Sequence, residues 1–172
     1  PAAPILMLPV PAIANLALDL TNNHIYYFET TGYTLRRCNL DGTGATLMVP
    51  DDGAWTSGDL WVDEVNGFLY SAEIGSTRRG ITKVALSSLP TGLTGVNALR
   101  SVISTTAPPE SVVVNLASGK IYFNYIASPY FVQLANLDGS SIETVIPDDT
   151  SWSSAALFIN DADGMLYMSS SA

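Results

Sequence analysis

Apolar residues in this chain come in short runs rich in Ile, Leu, Val, Tyr and Phe, and the runs are punctuated by Asp, Asn, Gly and Pro. That rhythm is the signature of strands joined by tight turns. No window outside residues 87–100 carries the 3.6-residue recurrence of an amphipathic helix, so the pattern predicts an almost purely β protein. The pattern also repeats. NLDGTGATLMVPDD at residues 39–52 returns as NLDGSSIETVIPDD at residues 136–149, 97 positions later. Alignment on one tyrosine extends the repeat to four units, with Tyr26, Tyr70, Tyr122 and Tyr167 at intervals of 44, 52 and 45 residues. Seven residues before each tyrosine stands Asp19, Asp63, Asn115 or Asn160, and three before it stands Asn23, Gly67, Gly119 or Gly164. Ahead of the Asp or Asn lies an apolar run: LAL, LWV, VVV or LFI.

Each block predicts a β-hairpin. An apolar strand ends at Asp or Asn, whose side chain bonds forward to the backbone. Gly or Asn then supplies the positive φ of the turn, and a second strand carries the tyrosine. In the first and third units a third strand follows (TLRRCNL, YFVQLANL). It ends in Asp-Gly, and a fourth strand stops at Pro50 or Pro147. The unit is therefore a four-stranded antiparallel meander, and repeats of such meanders at this period build β-propeller blades. The second unit has a lengthened last connection, SSLPTGLTGVNA. The predicted architecture is one all-β, β-propeller-like domain over residues 1–172, with units at roughly 12–50, 57–104, 110–147 and 154–172 plus 1–10.

The residues Ile25-Tyr26-Tyr27-Phe28-Glu29 with Asn39-Leu40-Asp41-Gly42, and Ile121-Tyr122-Phe123-Asn124 with Asn136-Leu137-Asp138-Gly139, resemble the YWTD repeat of low-density-lipoprotein-receptor propellers. The resemblance runs along almost the whole chain and implies a propeller fold. That family binds very different partners, so it implies no particular ligand. No unit carries Trp-Thr-Asp after its tyrosine, and where the family closes six blades, this chain has material for about four.

The termini complete the count. The fourth unit holds only two strands, ALFIN and MLYMSSS. At the other end, PILMLPVPAIANLALDL parallels TLMVPDDGAWTSGDLWVD, so residues 4–10 read as an orphan fourth strand preceding the first unit. The last blade is thus expected to be split between the termini, with one strand vacant. Three closures fit: a four-bladed monomer with a three-stranded last blade, a fragment of a longer propeller, or completion by a neighbouring chain. Ile5 and Met7 on one face and Leu6, Leu8 and Val10 on the other are all apolar, a pattern for a strand covered on both sides. It favours an assembly strand seated in a partner.

Composition narrows the field. A net charge of −9 repels phosphate backbones and anionic lipid, so nucleic acid and membrane insertion are not expected. Arg78-Arg79 is an isolated doublet. The chain begins at Pro1 rather than Met, which fits removal of an upstream segment such as a secretory leader. Cys38 is the single cysteine and reads as a small buried thiol.

Candidate chemistry is sparse. His24, the single histidine, sits at a turn and reads as solvated. Asp161-x-Asp163-Gly164 begins like an oxygen-rich calcium loop but lacks its later ligands, and a turn explains it. Asp51-Asp52 and Asp148-Asp149 supply carboxylate pairs without a defined separation. Trp55 and Trp152, with Asp52 and Asp149, are candidate ligand contacts that could stack on sugar faces, though their equal places in a repeat also suit packing between blades. Asp19, Asp63, Asn115 and Asn160 read as structural turn residues. No N-x-S/T sequon occurs.

These observations point to a non-catalytic extracellular or cell-surface protein of assembly or adhesion. It needs no cofactor, has itself as partner, and joins head to tail by strand complementation. The alternative is a carbohydrate- or protein-binding propeller whose partners are glycans or another extracellular protein. The third is a metal-dependent propeller hydrolase or lactonase, its oxygen ligands drawn from Asp19, Asp63, Asn115 and Asn160.

Overall fold

The computed structural model describes residues 12–50, 57–75, 79–89, 100–125, 130–147, 156–160 and 163–169. The assembly strand expected at residues 4–10 lies outside them. Among the described residues, fourteen strands form four antiparallel sheets, each a meander in chain order. The first sheet is β1 (Ile13–Asp19), β2 (His24–Glu29), β3 (Thr34–Asn39) and β4 (Thr46–Val49). The second is β5 (Ser57–Asp63), β6 (Phe68–Glu73), β7 (Gly80–Ala85) and β8 (Arg100–Ser104), with one 3-10 turn at Leu86–Ser88. The third is β9 (Pro109–Asn115), β10 (Lys120–Tyr125), β11 (Val132–Asn136) and β12 (Glu143–Ile146); the fourth is β13 (Leu157–Asn160) and β14 (Met165–Met168). The fold is a β-propeller-like array of blades. The first strand of each sheet is central: β1 packs on β5, β5 on β9 and β9 on β13, while no comparable packing joins β13 to β1.

The repeated words are repeated turns. Asp19 Oδ1 accepts the backbone N–H of Asn22 at 3.0 Å, Asp63 Oδ1 that of Asn66 at 2.8 Å, and Asn115 Oδ1 that of Ser118 at 3.0 Å. The chain then passes through positive φ at Asn23 (58°), Gly67 (71°), Gly119 (66°) and Gly164 (71°), a conformation that Gly and Asn tolerate and most residues resist. The NLDG turns are also superimposable in their bonding. Asp41 Oδ1 accepts both Thr43 N–H (2.9 Å) and its hydroxyl (2.6 Å), and Asp138 Oδ1 accepts both groups of Ser140 at 2.9 and 2.6 Å. In both turns the Thr43 or Ser140 hydroxyl bond leads in holding the carboxyl below its ordinary pKa.

Packing between blades follows one rule. Counting back from the turn Asp or Asn, the residue two positions earlier faces the next blade, together with the aligned tyrosine. The residues one and three positions earlier face the previous blade. Ala17, Tyr26 and Phe28 of the first blade pack with Leu60, Val62 and Leu69 of the second. Trp61 and Tyr70 of the second pack with Val112, Val114, Ile121 and Phe123 of the third. Val113 and Tyr122 of the third pack with Leu157, Ile159 and Leu166 of the fourth. The tyrosine that aligns the repeat is therefore the residue each blade presents to its successor.

A bulge recurs at the entry to each full blade's central strand. Pairing slips between Ile13 and Asn15, between Ser57 and Asp59, and opposite Phe123–Tyr125 in β9. Bulges bend a strand and re-aim the next side chain. Here the re-aimed residues are Asn15, Asp59 and Ser111. Asp59 Oδ2 accepts the Ser111 hydroxyl (2.8 Å) and the Val112 N–H (3.1 Å), and Ser111 Oγ in turn accepts the Leu157 N–H at 3.2 Å. One hydrogen-bonded line thus ties β5, β9 and β13.

Candidate functional site

The central strands and the turns that follow them enclose a cleft of about 600 Å³. Leu16, Leu18 and Thr21 line one wall, Asp59–Val62 and Val112–Val113 the floor, and Leu157–Ile159 the other wall. The side chains that line it are mostly apolar because each central strand contributes its apolar run, while polar and apolar atoms share its surface about equally. Two polar features enter it. Thr21 donates its N–H (2.9 Å) and hydroxyl (2.7 Å) to Glu64 Oε2, tying the turns of the first two blades and holding the Glu64 carboxyl below its ordinary pKa. Asp59 is shifted the other way: burial raises its pKa above 3.8, against the pull of its bonds to Val112 and Ser111.

The two walls differ from every internal contact in what they leave open. Leu16 and Leu18 occupy the positions that Leu60 and Val62 use to receive the preceding blade, yet they are 49% and 46% exposed. Phe158 and Tyr167 occupy the positions that Trp61 and Tyr70 use to meet the following blade, yet they are 62% and 49% exposed. Phe158 pairs across the hairpin with Tyr167, ring centroids 6.3 Å apart. Met165 joins the same face and its sulfur lies 3.9 Å from the Tyr167 hydroxyl. The opposite face, Leu157, Ile159, Leu166 and Met168, is turned to the third blade. On the first blade, the outer part of the receiving face is already buried at Ile25, Tyr27 and Cys38, so its inner rim is the open part.

The structure brings together few of the residues singled out from sequence. Asp19 and Asp63 are buried inside their turns, and both oxygens of each carboxylate are engaged: those of Asp19 by Asn22, those of Asp63 by Val65 and Asn66. Asn115 is bonded to its own turn, and Asn160 donates its amide to Asp163 Oδ2 at 2.9 Å. These four do not converge as ligands on the cleft. Asp163 also accepts the Met165 N–H at 2.9 Å; Asp161 lies outside the described residues. No group of three or more His, Cys, Asp or Glu suited to a metal occurs among the described residues. Trp55, Trp152, Asp52, Asp149, Ile5, Leu6, Met7, Leu8 and Val10 all lie outside them. His24 opens β2 and stands edge-on to Tyr26, centroids 6.3 Å apart. Cys38 is buried, which raises its thiol pKa.

Sequence reading missed Trp61, Phe158, Asp59 and Ser111. The first two belong to the series Ala17, Trp61, Val113, Phe158, two residues before the turn. The last two belong to Asn15, Asp59, Ser111, four before it. The polar residue at the head of an apolar run was the signal for the second series.

No protein-family profile matches the sequence, and no curated protein matches it. Solved structures match its fold. The chain superposes on a chain of a nidogen/laminin complex with a TM-score of 0.77 at 16% identity, covering 94% of this chain and 57% of that one. It superposes on a GH74 enzyme of Niastella koreensis with a TM-score of 0.67 at 19% identity, covering 92% and 26%. A Bacteroides thetaiotaomicron protein of unknown function gives 0.65 at 16%, covering 92% and 38%. The chain therefore spans little more than half the length of one of these and less of the others. At these identities the likeness defines a class, β-propeller-like proteins, and nothing finer. No helix among the described residues is long and apolar enough to cross a membrane.

Proposed function

We propose that this chain is a non-catalytic, extracellular or cell-surface assembly or adhesion module, a YWTD-like propeller that offers an apolar blade face to a protein partner. The carrying observation is the uncovered face of the fourth blade, where Phe158, Met165 and Tyr167 are all about half exposed or more while the equivalent Tyr26 and Tyr70 are buried. Exposed contiguous apolar side chains at positions that are buried or partly buried in the other blades mark a contact surface. The YWTD likeness gains support from Glu29 and Glu73, which stand where that motif carries its Asp. Each ties its strand to the next: Glu29 accepts Arg36 Nε at 2.8 Å and the Thr34 hydroxyl at 3.1 Å, and Glu73 accepts the Thr82 hydroxyl. The nidogen/laminin structure is, by its name, a complex between proteins, which supports a protein partner. The engagement of Asp19, Asp63 and Asn115 within turns speaks against their use as ligands of a catalytic metal. The test is light scattering over a protein concentration series, beside a screen against glycans, glycosides and lactones. The expected result is mass that grows with concentration and no turnover. A chain that stays monomeric and hydrolyses a glycoside or lactone would overturn the reading.

A further inference from the structure

We propose that Asn66 is a site of chemical modification: the Gly67 backbone nitrogen displaces its side-chain amide, leaving a carboxylate where the turn of blade two needs a donor. Asn66-Gly67 is the single Asn-Gly pair in the chain. Asn66 is exposed, and a Cβ added at Gly67 would meet nothing within 4 Å, so that flank of the turn is open to water. In the reaction the Gly67 nitrogen gives its proton to solvent and bonds to Asn66 Cγ, the Cγ–Nδ2 bond breaks, and ammonia leaves. Water then opens the cyclic imide at either carbonyl, giving aspartate or its β-linked isomer. No electrons are exchanged, and water is the sole co-reactant. The fold controls the rate. Gly67 N–H donates to the Asp63 carbonyl at 2.9 Å, and Asp63 takes the Asn66 N–H on Oδ1 (2.8 Å) and the Asn66 amide on Oδ2 (2.9 Å). Both reacting groups are held until the turn opens. Asp19 holds Asn22 in the same way, but there Asn23 follows, and its side chain crowds the attacking nitrogen where glycine leaves it free. The repeat shows what the product does. The bonded positions carry Asp19 with Asn22, Asp63 with Asn66, Asn115 with Ser118, and Asn160 with Asp163, so no pair holds two carboxylates. Even in the fourth turn, where the carboxylate has changed places, Asn160 Nδ2 donates to Asp163 Oδ2 at 2.9 Å. A carboxylate at position 66 would face Asp63 with no proton to give, and like charges at that distance repel. The β-linked product also adds a carbon to the main chain between β5 and β6, whose pairing closes at Asp63 opposite Phe68. Either product loosens the turn that blade two ties to blade one through Glu64 and Thr21.

The experiment is peptide mapping by mass spectrometry after the chain is aged at neutral pH, with chromatography separating aspartate from its β-linked isomer. Conversion is expected at Asn66, in both product forms, and not at Asn22. The same ageing in concentrated urea, where the turn is open, is expected to convert Asn66 much faster. Asp63→Asn keeps an acceptor for the Asn66 N–H, as Asn115 does for Ser118, but turns a donor toward the Asn66 amide and so releases it. It is expected to speed conversion in the folded chain by about tenfold, the weight of one lost charge-assisted bond on the opening of the turn. Asn66→Ser repeats the pattern of the third turn and is expected to stop conversion at that position and to melt with the wild type. Asn66→Asp installs the linear product directly and is expected to melt lower. Circular dichroism establishes that each variant is folded. An aged wild type with no conversion at Asn66, or with as much at Asn22, would overturn the site. Equal rates with and without urea, or an Asp63→Asn chain that ages no faster, would overturn control by the turn. An Asn66→Asp chain that melts with the wild type would overturn the consequence.

Discussion

A single side chain changes meaning with its place in the array. Tyr26 is 2% exposed between the first two blades, whereas Tyr167, its counterpart, is 49% exposed. Truncating a buried aromatic costs about 3–5 kcal/mol, so Tyr26→Ala should lower the stability of the chain by that amount. Tyr167→Ala should cost a small fraction of it when measured on the isolated monomer by urea titration. Tyr70 shows a second residue-scale effect. Its hydroxyl is buried with no hydrogen-bond partner among the described residues, and burial, with the nearby charge of Asp63, pushes its pKa up to about 12. An unpaired buried hydroxyl is a liability. Tyr70→Phe should raise the melting temperature, with a gain of about 1 kcal/mol. A clear loss would mean that the hydroxyl is paired after all. The tyrosine was legible as the anchor of the repeat, because a period of about 45 residues needs no structure to be seen. Its role as the residue handed to the next blade was not legible, since that depends on which strand faces which neighbour.

At the level of the strand, local chemistry was readable and sideways contact was not. Asp-x-x-Asn, Asn-Gly and Asp-Gly fix turns through bonds spanning only a few residues, and the β1–β2, β3–β4, β5–β6, β11–β12 and β13–β14 turns fall where those motifs stand. The bulge before Asn15, Asp59 and Ser111 has no such signature, because it is defined by pairing with another strand. Two expectations test this region. A methyl group on Gly58 would lie 2.9 Å from the backbone oxygen of Glu110 in the neighbouring blade, so Gly58→Ala should destabilise by about 1–3 kcal/mol through overpacking. Asp59 carries a folded pKa above its unfolded value of 3.8. The native state therefore holds a proton that the unfolded chain has released. Its contribution is fully present below the unfolded pKa and is lost as pH rises through the folded one. Asp59→Asn keeps an oxygen for Ser111 and Val112 without the charge. Melting curves from about pH 3 to 7 should show that this variant lacks the decline in stability seen in the wild type. An unchanged pH profile would assign the decline to another group.

The whole chain is a directional object, with a presenting face at one end of the blade series and a receiving rim at the other. Its charge sets how copies approach. Each carries −9, so on the assembly reading copies repel at long range while the proposed contact is apolar. Raising ionic strength from about 0.01 to 0.15 M shortens the screening length from about 30 to 8 Å and should increase association at fixed protein concentration. A decrease would mean that opposite charges, rather than Phe158 and its neighbours, hold the contact. The directional order also has a consequence for how the molecule breathes. Blades two and three have neighbours on both sides, whereas the β13–β14 hairpin, tied to blade three by the Leu157 N–H on Ser111 Oγ, has one among the described residues. In arrays whose units touch only their neighbours, opening begins at the ends. Amide hydrogens should therefore exchange with deuterium in a gradient, slowest in β6 and β10 at the middle of the chain and fastest in β14, and a chain that loses all its protection in one step would show that the blades open as one.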